Sequence, residues 1–160
     1  MSPQPEHAPR ERGFRLVPIN ESGAPIEPLH AADPVVFEVM QATAALYSRK
    51  GFVPPWIGYL AIDGDTCIGS CGFNGPATDG VAEIAYFTFP GHEGRGVATR
   101  MAQALMWVTR NVGPQRPTVI AHTLPEENAS TAILRKLGLQ CEGEVIDDEN
   151  ARVWRWHEPR

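Results

Sequence analysis

The sequence predicts an α+β domain whose mixed, mostly antiparallel central sheet is flanked by helices. Two local signals carry that reading. Residues 57–62 and 66–73 are β-rich runs that flank Asp63-Gly64-Asp65, and an Asp-Gly step in so short a gap marks a hairpin of antiparallel neighbours. Further on, a strand, a glycine-dense turn and an amphipathic helix succeed one another before the next strand, the order of a strand-helix-strand crossover. Size and composition agree. With 160 residues, 42% of them hydrophobic and 21% charged, the chain matches one ordinary domain, read as a flexible N-terminal segment over 1–13 and a folded unit over 14–160.

Each element follows from its residues. After the Pro-rich start, 14–19 reads as a short strand, and Pro18, Pro25 and Pro28 hold off regular structure until about His30. Asp33 before Pro34 joins an N-cap to a first-turn proline, and the helix they open runs through Val36, Val39, Met40 and Leu46 to about Lys50, where Gly51 stops it. A stiff loop, 52–56, leads into the hairpin. Residues 81–89 are apolar on both alternating sets, Val81, Ala85, Phe87 and Phe89 against Ala82, Ile84 and Tyr86, which predicts a central strand covered on both faces. Glu83 is the exception inside it. Beyond the glycine turn at 91–96, Met101, Leu105, Val108 and Val112 recur at helical spacing as far as Gly113-Pro114. Residues 118–123 read as another strand, 128–137 as a helix stopped by Gly138, and 139–146 with 151–157 as a closing pair on which Trp154 and Trp156 pack.

Several function classes are excluded by composition. Cys67, Cys71 and Cys141 are too few and too scattered for a disulfide framework or a zinc site, so they read as small buried hydrophobes and no metal is expected. A net charge of -5 without a Lys/Arg run argues against nucleic acid or an anionic membrane as the main partner. The first twelve residues have no apolar core, so neither a signal peptide nor a membrane anchor is expected, and the expected location is cytoplasmic. Either a monomer or a homodimer fits.

The chemistry concentrates at the glycine turn. A strand that runs into Gly94-Arg95-Gly96-Val97-Ala98-Thr99 and then a helix presents unpaired N–H groups at the positive end of the helix dipole, which suits phosphate. A plain turn explains the same residues. The six-residue glycine pattern of a dinucleotide site and its acidic partner are missing, and no Gly-Lys-Ser/Thr follows as in a Walker loop.

Two longer stretches narrow the choice. Ala82-Glu83-Ile84-Ala85-Tyr86 through Pro90, followed by Glu93-Gly94-Arg95-Gly96-Val97-Ala98, resembles the pyrophosphate-binding motif of the GNAT acetyltransferases. About thirty residues later, Asn128-Ala129-Ser130-Thr131 to Lys136-Leu137-Gly138-Leu139 is similar to the later GNAT segment, especially in the branch with ribosomal-protein N-terminal acetyltransferases. The resemblance covers about 14–156 and implies the GNAT fold. Three positions depart from it: Glu93 stands where the family has Gln or Arg, Leu134 where many relatives carry a tyrosine proposed as general acid, and Leu139 where Phe is usual.

What the resemblance implies is transfer of an acetyl group from acetyl-CoA to a primary amine, with no metal. The amine belongs to a small molecule or a protein N-terminus. Gly94 to Thr99 would hold the diphosphate, and the pantetheine would pair with backbone around Phe87, Thr88 and Phe89. An alkyl amine is protonated at neutral pH, so a base must take its proton. Glu83 is the candidate, with a strand-end glutamate facing solvent as the alternative. Asn128 and Ser130 would hold the cofactor or an ordered water, or else cap their helix. Phe52, Pro54, Pro55 and Trp56 either wall the acceptor site or pack their loop. His122 reads more readily as a core histidine than as a catalyst. A non-catalytic acyl-CoA-binding or regulatory module is the competing function, and a glycine-turn nucleotide binder of another class is a third.

Overall fold

Asp33 caps as its place before Pro34 predicts, accepting the Val35 N–H at 3.0 Å, and Gly51, at φ 98°, closes the helix by donating its N–H to the Tyr47 carbonyl. The computed structural model describes residues 13–29 and 33–159, so nearly all of the N-terminal segment read as flexible lies outside the described residues. In chain order the elements are β1 (Phe14–Pro18), α1 (Pro34–Lys50), β2 (Gly58–Asp63), β3 (Thr66–Phe73), β4 (Val81–Thr88), α2 (Val97–Arg110), β5 (Thr118–Thr123), α3 (Ala129–Lys136), β6 (Gln140–Ile146) and β7 (Arg152–His157). All seven strands join one sheet in the order β1-β2-β3-β4-β5-β7-β6. Among the described residues, only β4 and β5 run parallel.

Alternation along the strands assigns the two faces. At Gly58 an added Cβ would meet Thr43 of α1 at 2.9 Å, whereas at Gly69 it would meet Met101 of α2 at 3.0 Å. Gly58 pairs with Gly72, three positions along β3 from Gly69, so α1 and α2 cover opposite faces. Met101, Ala102 and Leu105 of α2 are fully buried and belong to the same core cluster as Ile84 and Phe89. On the α1 face Tyr47 ties helix to sheet: its hydroxyl donates to the Ile19 carbonyl at 2.8 Å and accepts the Gly58 N–H at 2.9 Å. Tyr47→Phe strands both main-chain groups, and the expected cost is about 1–3 kcal/mol. A lower urea midpoint at unchanged slope would report it.

Two expectations need correction. β4 is central but covered on one face only: Ala82 and Ile84 are buried under α2, while Ala85 and Phe87 on the α1 face are exposed, Phe87 by 46%. α1 ends its cover over β2 and β3, and an apolar strand face left open reads in sequence like a buried one. Cys141 is the second. It is exposed on β6, unlike Cys67 and Cys71, which are buried, and burial pushes the Cys67 thiol up to about 11. Among the described residues, no helix is long and apolar enough to cross a membrane.

Candidate active site

The site begins where β4 and β5 part. They pair only over Val81–Thr118, Ala82–Val119 and Glu83–Ile120, after which β5 stays with β7 while β4 stays with β3. A cavity of about 240 Å³ fills the gap, bordered by Ile84, Ala85 and Tyr86 on one side and by Ala121, His122, Thr123, Asn128 and Ser130 on the other. The carbonyl of Glu83 accepts the Asn74 N–H, and the Phe89 N–H donates to Ile68, so odd-numbered residues of β4 direct their main chain to β3. By strand alternation the N–H and C=O groups of Tyr86 and Thr88 face the gap. Of the three residues read as pantetheine partners, Thr88 therefore offers its main chain to the cleft, whereas Phe87 and Phe89 spend theirs on β3.

At its far end β4 runs into the glycine turn. Gly94 and Gly96 both take left-handed backbone, φ 77° and 76°, and Gly96 caps α2 with no side-chain hydrogen bond. The first amide of α2 to find a main-chain acceptor is that of Arg100, which donates to the Gly96 carbonyl at 3.1 Å. Among the described residues, no protein acceptor takes the N–H of Gly94, Arg95, Gly96, Val97, Ala98 or Thr99. Six main-chain donors at the positive end of a helix fit a diphosphate. A Cβ placed on Gly94 or Gly96 would meet nothing within 4 Å, so the turn is open to an anion. Glu93 folds back, its carboxylate accepting the Gly91 N–H at 3.3 Å, while Arg95 is exposed beside it.

Glu83 sits on the seam's last paired residue, on the α1 face. Its Oε2 is 3.0 Å from His122 Nδ1, and its Oε1 accepts an N–H from Asn74 Nδ2 at 3.2 Å. Neither side chain is free in solvent: 23% of Glu83 and 20% of His122 is exposed. The pair floors a cavity of about 460 Å³ between the end of α1 and the β6–β7 turn, with Lys50, Asp147, Asp148 and Glu149 at its rim. Lys50 reaches across that rim, 3.5 Å from Asp148.

The start of α3 closes the cleft's other wall. Asn128 caps it, its side chain accepting the Thr131 N–H at 3.0 Å while the Thr131 hydroxyl accepts the Asn128 N–H at 2.9 Å, so the capping alternative holds for Asn128 even as it borders the cleft. Ser130 stands half-buried one turn position on, and its carbonyl accepts the Tyr86 hydroxyl at 3.3 Å across the gap. Burial pushes that phenol up to about 12, with the hydrogen bond at Ser130 acting against it, so Tyr86 keeps its proton at neutral pH. Leu134 is fully buried, which leaves no hydroxyl at that point of α3. Phe52, Pro54 and Pro55 line a different cavity of about 520 Å³ with Trp107 and Val108 of α2, and Trp56 stacks edge-on to Phe73 at 5.0 Å. These four do not border the Glu83 pocket.

A family model described as an acetyltransferase (GNAT) domain matches residues 27–140. The chain belongs to the GNAT family. It is thereby an acyl-CoA-dependent acyltransferase, and its sheet is the GNAT fold. The ribosomal alpha-N-protein acetyltransferase RimL in complex with coenzyme A superposes with a TM-score of 0.66 at 18% identity, covering 94% of this chain and 96% of that one. A spermidine N-acetyltransferase SpeG chimera from Vibrio cholerae and hSSAT gives 0.63 at 15% identity over 91% and 95%. An acetyltransferase from Agrobacterium tumefaciens gives 0.61 at 20% over 99% and 97%. No curated protein sequence matches.

For this GNAT chain, two groups at the cleft are hard to see in the sequence. Tyr86 reads there as an apolar strand position, and its partner lies 44 residues away. His122 reads there more readily as a core histidine than as a catalyst. A polar ring two positions beyond the last paired residue of β5 signals the cleft only once the register with β4 is known.

Proposed function

We propose that this GNAT protein moves the acetyl group of acetyl-CoA to a primary amine, either a protein N-terminus or a small-molecule amine. One observation supports this most: an unpaired strand edge on β4 leads directly into six unclaimed amides at the start of α2. The edge suits a pantetheine and the amides a diphosphate, which together carry the thioester to the gap beside Ser130. Glu83 supplies the site's negative charge, and Ser130 is a hydroxyl of α3 that borders the gap. On the α1 face the larger cavity above Glu83 is the way in for the amine.

A second reading stays in play on particular grounds. Leu134 provides no acid and Glu93 is turned onto Gly91, features that suit a chain which binds acyl-CoA without turning it over. Incubation with acetyl-CoA and a panel of peptides and small amines, read by thiol release, separates the two. Release with at least one amine is expected. Tight coenzyme A binding with no release from any amine would favour the binding module.

A further inference from the structure

Glu83 does not border the cleft between β4 and β5. His122 does, and it also lines the pocket between the end of α1 and the β6–β7 turn that Glu83 floors. Its position follows from the fold. β5 side chains at Ile120 and His122 fall on the α1 face beside Glu83, and the residue that would face His122 had the strands stayed paired is Ala85, too small to fill the space. The ring is therefore free to span from the Glu83 carboxylate to the gap.

We propose that His122 is the catalytic base that takes the proton of the attacking amine, with Glu83 as the positioning residue that fixes its tautomer. The inference rests on the acetyl-transfer reading and deepens it. An ionised carboxylate only accepts, and Oε1 of Glu83 already receives Asn74. The 3.0 Å contact therefore places the neutral ring's proton on Nδ1 and leaves the Nε2 lone pair available, since no protein donor reaches Nε2 among the described residues. The alkylammonium first gives one proton to water, and the neutral amine nitrogen then forms its bond to the acyl carbon and gives an N–H proton to Nε2. The carbon–sulfur bond breaks with its electron pair on sulfur. The imidazolium, stabilised by the adjacent carboxylate, then returns that proton to the sulfur, so the thiol forms without the hydroxyl that Leu134 lacks.

Two measurements on the full chain test this. In ¹⁵N NMR, His122 is expected as the Nδ1–H tautomer, the minor form of a free imidazole; a resonance showing Nε2–H would overturn the proposal whatever the activity. In kinetics, His122→Ala is expected to lower kcat/KM by about 10²- to 10⁴-fold, the usual worth of a general base, with coenzyme A affinity by calorimetry unchanged. Added imidazole should restore part of the rate by occupying the vacated space. His122→Gln, which keeps a donor for Glu83, serves if the alanine variant fails to fold, and should be as slow. An active wild type matched by either variant, or an alanine loss that imidazole leaves untouched, overturns the role of His122 alone. A wild type that acetylates no amine overturns the acetyl-transfer reading as well.

Discussion

Gly96→Val is expected to lower coenzyme A affinity by about tenfold to a hundredfold. The physical reason is that Gly96 sits in the left-handed region at φ 76° and its N–H lies in the middle of the open amides. A β-branched residue resists that conformation by about 1–2 kcal/mol, and relaxing it would turn the Gly96 and Val97 N–H groups away from a bound phosphate. Hydrogen bonds to a charged acceptor are worth about 1.5–3 kcal/mol each, so losing the equivalent of one accounts for the stated range. Space is no obstacle to the variant itself, because nothing lies within 4 Å of an added Cβ. Gly80→Val is the matched control: its φ is 74°, its Cβ is equally unopposed, and it precedes β4 at the end remote from the turn. Calorimetry should then show full affinity in the control and the loss in Gly96→Val. Equal affinities would mean that these amides do not hold the cofactor.

Local chemistry made most of the fold legible. Asp33-Pro34 and Gly51 bounded α1, Gly64 marked the hairpin with its φ of 61°, and the spacing of Met101, Leu105 and Val108 gave α2 its buried side. The phosphate end of the site was legible for the same reason, since an amide cradle is built from consecutive residues. The reacting end was not. Glu83 was visible as a lone carboxylate in an apolar strand, but its partner His122 lies 39 positions on, and only the parallel register that ends at Ile120 brings them together. The open face of β4 was hidden by its own composition: Ala85 and Phe87 are as apolar as core residues while bordering space on the α1 face. Asn128 showed the reverse difficulty, one side chain serving both as cap and as cleft wall.

Because β4 leaves β5 after Ile120, residues 121–123 are held along one edge only, by β7, and the load falls on Trp156. It pairs with Ala121 on one side and Cys141 on the other, is fully buried, donates its indole N–H to the Thr123 hydroxyl at 3.0 Å and carries the Arg135 guanidinium of α3 at 5.1 Å from its ring. Trp156→Ala removes all of these contacts, for an expected loss of about 3–5 kcal/mol out of the roughly 5–15 kcal/mol that keep a domain folded. For a chain of this size that is a fall of roughly 6–20 °C in Tm. Trp156→Phe keeps most of the packing and abandons only the hydrogen bond, so it should lose about 1 kcal/mol while still presenting His122 to the cleft. If the alanine variant melts within a degree or two of wild type, the free edge of β5 is held by something other than Trp156, and the rigidity needed to aim His122 must come from the Glu83 contact instead.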